Sequence, residues 1–159
     1  MAEFRSTPLS EDSPVDEGLP NWSRYRMSLR MMNALSAQST HWRATCSFPI
    51  QGVDYTDYVR GKFVDFDIVT FLGSNVCKRV EHVNIRGHKC SDCNVGWWQV
   101  SKTYFLHTDS ASTSCGFDAS QGANNNQDNF GYYANSNSNF RCTANARATT
   151  NWWFGGDTS

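Results

Sequence analysis

Gly96-Trp97-Trp98-Gln99-Val100-Ser101-Lys102-Thr103-Tyr104-Phe105-Leu106 is the stretch on which the fold class turns. At a period of two, Trp98, Val100, Tyr104 and Leu106 share one parity, and Gln99, Ser101 and Thr103 share the other. Side chains alternate across a strand, so this pattern predicts a strand with an apolar face on the Trp98 side. Trp97 and Phe105 interrupt the polar parity, so that face is not purely solvated.

Working outward, residues 78–86 form a second strand with Val83 and Ile85 on one face, closed by Gly87. In Val64-Asp65-Phe66-Asp67-Ile68 apolar and acidic residues alternate strictly, which predicts a third strand running on through Leu72 to the turn-forming Gly73-Ser74-Asn75. Shorter candidates follow at 129–134, 138–143 and 149–154. One helix is expected, over 22–37, with Ser23 as its cap and two stripes, Tyr25/Leu29/Met32 and Met27/Met31/Leu35. Arg24, Arg26 and Arg30 beside the stripes would suit a membrane surface or an acidic partner, but such stripes more commonly pack on a sheet. The fold class is therefore mainly β: an antiparallel β-sandwich or barrel-like sheet with one N-terminal helix, disulfide-bonded. Residues 1–20, with five acids and three prolines, read as a disordered acidic lead, vector-derived at Met1-Ala2-Glu3-Phe4 and without the basic start and apolar run of a leader. Residues 21–159 read as a single β-rich domain.

Six cysteines, Cys46, Cys77, Cys90, Cys93, Cys115 and Cys142, are spread through that domain. Their even number and spread suit three disulfides in a secreted, extracellular protein, with the connectivity open. The triplet Asn21-Trp22-Ser23 is an N-glycosylation acceptor compatible with that compartment. The competing reading is a zinc site. Cys90 and Cys93 have the knuckle spacing, expected on a turn, and one or two of Cys77, His82 and His88 would complete the ligand set. No apolar run is long enough to span a bilayer.

Charge is low and uneven. From His107 to Ser159 there is no Lys or Glu, and only six charged residues stand among nine Asn and eight aromatics. The middle of the chain is mildly basic, without the dense stripe of a nucleic-acid binder. Flat apolar rings beside neutral hydrogen-bonding groups are what a sugar requires: rings for its C–H faces, amides and hydroxyls for its hydroxyls. The expected function is non-catalytic, lectin-like recognition of a neutral polar ligand, carbohydrate or glycoprotein first. The expected ligand-binding residues are Trp97, Trp98, Trp152, Trp153, Tyr132, Tyr133, Asn124, Asn125 and Asp128. Adjacent tryptophans on a strand point to opposite faces, so at most one of each Trp-Trp pair belongs to the core.

Two alternatives stand beside this reading. One is a small secreted hydrolase using Asp and His, with Asp65/Asp67 or Asp54/Asp57 as carboxylate pairs and His41, His82, His88 and His107 available. No nucleophile elbow or metalloprotease helix motif accompanies them. The other is a structural or adhesive extracellular protein. No cofactor is expected. Calcium at Asp109, Asp118 and Asp128 lacks a spaced acidic loop.

Overall fold

A single helix and eight strands make up the regular structure of the computed structural model, which describes residues 7–21, 24–46, 58–85, 88–99, 107–108, 115–117, 131–133, 137–141 and 150–156. The helix α1 (Leu29–Ser36) precedes β1 (His41–Cys46), β2 (Tyr58–Lys62), β3 (Gly73–Ile85), β4 (His88–Gln99), β5 (His107–Thr108), β6 (Gly131–Tyr133), β7 (Asn137–Arg141) and β8 (Thr150–Gly155). Six strands form one open antiparallel sheet in the order β5-β4-β3-β2-β1-β8, and β6 pairs with β7 in a second. The mainly antiparallel β class with one helix and disulfide pairing is the architecture observed.

The core lies on the face that carries Ala44, Val59, Val83, Val95 and Trp97, all with essentially no exposed surface. The parity of β4 is thus the reverse of the expected one. Trp97 and Gln99 face the core, and Trp98 faces away. Two local contacts account for this. Trp97 nests among Trp42 and Phe66 at ring-centroid distances of 5.8 and 5.1 Å. The Gln99 amide nitrogen donates to the carbonyl of Phe71, which gives this buried side chain a backbone partner.

Residues 64–72, expected as a strand, lie instead in two turns that roof this core. Phe66, Ile68, Val69 and Phe71 are buried, whereas Val64 and Leu72 are exposed, a spacing no strand could produce. Asp67 drives the second turn: its carboxylate accepts from the Val69 amide (3.0 Å) and the Thr70 hydroxyl (2.7 Å). The indole N–H of Trp42 donates to the Phe66 carbonyl (2.8 Å) and fastens the roof to the sheet. The Trp42 ring in turn lies flat on Gly61 of β2, where a Cβ would come within 2.6 Å of it. Each large side chain buried here contributes about 1.5–3 kcal/mol.

The helix begins at Leu29 rather than at residue 22, with Ser28 as N-cap, its hydroxyl accepting from the Met31 amide. Met32 enters the core, Leu29 and Met27 pack against it, and Met31 and Leu35 remain exposed. Leu29 and Met32 of the first stripe thus pack inward, as amphipathic stripes do, while Met31 and Leu35 of the second face outward. Residues 7–20 do not behave as an unstructured lead. Glu17 accepts from both the amide and the hydroxyl of Ser28 (2.8 and 2.6 Å), and Asp12 accepts from the Leu29 amide (2.8 Å). Helix starts leave amides unpaired and favour negative charge, so acids that looked like solvated tail are used as caps. The Ser28 hydrogen bonds hold the Glu17 carboxyl below its usual range. Arg26, read as part of a basic helix face, is instead buried, its guanidinium donating to the carbonyls of Pro8 and Glu11.

Two disulfides are described. Cys77 joins Cys115, 38 residues away, with a Cα–Cα distance of 5.5 Å, and Cys90 joins Cys93 at 6.2 Å. The second bond sits inside β4 rather than on a turn. It is permitted because alternation slips by one residue there. Val80 and Val83 both face the core, and their register partners are Cys93 and Cys90. Asp92, between the cysteines, takes a left-handed backbone (φ 50°). This geometry keeps Cys77 from joining Cys90 and Cys93 at one metal. Cys77 and Cys93 lie on opposite faces of the sheet, and Cys77 and Cys90 are separated by six residues of register, roughly 20 Å. Among the described residues no three His, Cys, Asp or Glu side chains converge. The side chains of Cys46, His88 and Cys142 lie outside the described residues. No described helix is long and apolar enough to cross a membrane.

Candidate functional site

The first strand alternates as His41-Trp42-Arg43-Ala44-Thr45, with Trp42 and Ala44 to the core. His41, Arg43 and Thr45 are therefore presented on the opposite face. Pairing with β2 and β8 extends this into rows. Arg43 is the partner of both Arg60 and Trp153, and Arg60 is the partner of His82. Thr45 is the partner of Tyr58 and Asn151, and His41 of Lys62 and Gly155. A groove of about 500 Å³ opens over these strands, lined by His41, Arg43, Tyr58, Arg60 and Trp153, with Gly155 and Gly156 at its rim. Gly156 has φ +134°, and a Cβ there would overlap the Thr40 hydroxyl at 1.9 Å, so only glycine closes this end.

Trp153 is fixed from two sides. Its indole N–H donates to the Thr45 hydroxyl (3.0 Å), and the Arg43 guanidinium sits 5.1 Å from its ring centroid, within cation–π range. Glu81 is the electrostatic centre of the adjoining surface. The slip between Val80 and Val83 turns Glu81 and His82 to the same side. Glu81 receives Arg60 Nε at 2.9 Å, His41 Nε2 at 3.3 Å and Lys62 Nζ at 3.4 Å. Partial burial works to raise the Glu81 carboxyl, but His41, Arg60 and Lys62 together outweigh it and hold the group below the usual carboxylate range. Burial, then Arg60 and Lys89, push His82 below its usual value and favour the neutral ring.

The two Trp-Trp pairs divide as strand parity requires, but with different outcomes. Trp97 is fully buried and so cannot serve as a ligand platform. Trp98, on the other face, lies against Gly96, close to Cys115. Trp152 is half-buried and tilted against Trp42 at 6.1 Å, a core-side residue. Trp153 alone of the four lines the groove. Tyr132 and Tyr133 fall in β6, where only the backbone is described; Asn124, Asn125 and Asp128, with Asp109 and Asp118, lie outside the described residues. The hydrolase pair Asp65/Asp67 does not share a strand face. Asp65 is exposed in a turn, and Asp67 is committed to the turn it caps. Asp54 and Asp57 lie outside the described residues.

Arg43, Tyr58, Arg60 and Glu81 were not expected as site residues. The alternation of His41, Arg43 and Thr45 with Trp42 and Ala44 carries the signal for the first strand. Nothing local to Arg60 or Glu81 announces that they would meet. No protein-family model, curated protein or solved structure matches this chain.

Proposed function

We propose that the protein is a non-catalytic carbohydrate-recognition domain whose binding surface is the groove beside Trp153. The observation that carries this reading is the setting of Trp153: it projects away from the core, is held by Thr45 and Arg43, and lines a concave surface with Tyr58 and Arg60. A fixed ring supplies a flat wall for the C–H face of a sugar. The guanidinium and imidazole groups around it supply donors for its hydroxyls. The two disulfides suit an oxidising compartment, so we place this activity outside the cell.

A glycan array tests the reading with the wild type, Trp153→Ala, Trp98→Ala and Trp152→Ala. Binding to a defined set of glycans, lost in Trp153→Ala and kept in Trp98→Ala, is the expected result. Silence of the wild type, or undiminished binding by Trp153→Ala, would sink the proposal. Trp152→Ala reports on the packing beneath the groove. It should weaken binding only in step with its thermal stability.

A further inference from the structure

Like charges stand side by side in the groove. Arg43 and Arg60 are register partners on β1 and β2, the arrangement in which equal charges on neighbouring strands destabilise a sheet. Arg60 is compensated by Glu81, but Lys62 and His41 converge on the same carboxylate. One acid thus serves three basic side chains, and Arg43 is left over. Its contact is the Trp153 ring, and among the described residues no carboxylate lies against it. A cation–π contact orients a guanidinium but leaves its N–H donors unused. Such a fork, pre-oriented beside a second guanidinium, matches the paired oxygens of an oxyanion.

We infer that the groove takes an anionic saccharide, its carboxylate or sulfate group held between Arg43 and Arg60 and its sugar ring against Trp153. This rests on the carbohydrate reading above and moves the ligand from neutral to acidic. A bound anion would offset the repulsion between the paired Arg43 and Arg60. A nucleic-acid strand fits less well. It needs a continuous basic track for successive phosphates. Here Glu81 interrupts the basic cluster and the row across the sheet passes from His82 to Ser91.

Isothermal titration with matched pairs of oligosaccharides tests the inference. One pair is an oligogalacturonide and its methyl ester; the other is a sulfated galactan fragment and its desulfated form. Oligo-dT serves as the competing class. At least one acidic member should bind roughly ten-fold or more tightly than its neutral partner, with affinity falling as salt rises. Arg43→Gln should remove that preference without lowering thermal stability, and Arg43→Lys should keep part of it. Arg60→Gln gives an independent check should Arg43→Gln prove poorly folded. Equal affinity for acidic and neutral members, abolished by Trp153→Ala, overturns the anionic ligand and leaves carbohydrate recognition standing. Failure of every saccharide, or tighter binding of oligo-dT, overturns both.

Discussion

The same dipeptide, Trp-Trp, occurs in β4 and in β8, and the two copies are put to different use. The strands stand four positions apart in the sheet, roughly 19 Å. In β4 the inward ring, Trp97, is fully buried among Trp42 and Phe66, and the outward ring, Trp98, lies over the glycine notch at Gly96 beside Cys115. In β8 the inward ring, Trp152, is only half-buried, and the outward ring, Trp153, meets Arg43 and the groove. Parity determines that paired rings part company. What each outward ring does depends on what lies beside it: Gly96 of its own strand and a disulfide in one case, the cross-strand guanidinium of Arg43 and a groove in the other.

The contrast is most exposed to a stability measurement. Trp97→Ala removes a fully buried indole and should cost about 3–5 kcal/mol by urea denaturation. Trp153→Ala should cost only about 1–2 kcal/mol, the order of one hydrogen bond and one partly exposed cation–π contact. Equal losses would erase the distinction between a pair committed to packing and a pair that lends one ring to the groove.

The disulfides sharpen it next. Cys77–Cys115 lies on the Trp98 face and closes a long loop, with 38 residues of separation, whereas Cys90–Cys93 closes one of three. Loop-closure entropy assigns the first about 4 kcal/mol and the second under about 2 kcal/mol. Converting each pair to alanine and comparing denaturation midpoints checks the ranking. Peptide mapping without reduction should recover both connectivities. A Cys77–Cys93 linkage would refute the register of β3 and β4.

The smallest effect concerns the Trp153 side of the sheet. Glu81 is held below the ordinary carboxylate range of about 4.3 when folded. A lowered folded value means that its contribution is complete above the ordinary value and lost as pH falls through the lowered one. Glu81→Gln should therefore cost no more than about 1 kcal/mol at neutral pH. It should also flatten the acid limb of stability below about pH 4. An unchanged acid limb would remove Glu81 from its central place in the charge cluster.

Strand content and the splitting of the Trp-Trp pairs were legible from period-two alternation, because alternation is local. Which face of β4 is inner was not. Trp98 and Val100 outnumber the apolar residues on the other parity, yet Trp97 wins, because depth is decided by Trp42 and Phe66, distant in sequence. Phe66 and Ile68 misled similarly: alternation over five residues also fits a turn that drops every large ring inward once Asp67 caps it. The acidic lead was read from its composition, which cannot show that Glu17 and Asp12 meet the start of α1. Of the expected ligand residues, Trp153 lines the groove; its charged neighbours were hidden because Arg43 and Arg60 become neighbours only through strand pairing.

One bond described above has a temporal meaning. The hydrogen bond from Trp153 to Thr45 spans 108 residues of chain, and β8 completes the sheet by pairing with β1. Closing so long a loop carries a large entropic cost, and contacts of this range form slowly. On a ribosome, β1 would have to wait for β8 with one edge unpaired, an exposure that invites misassembly. The groove is thus a late product of folding, and the binding proposed for it would report that the sheet has been finished.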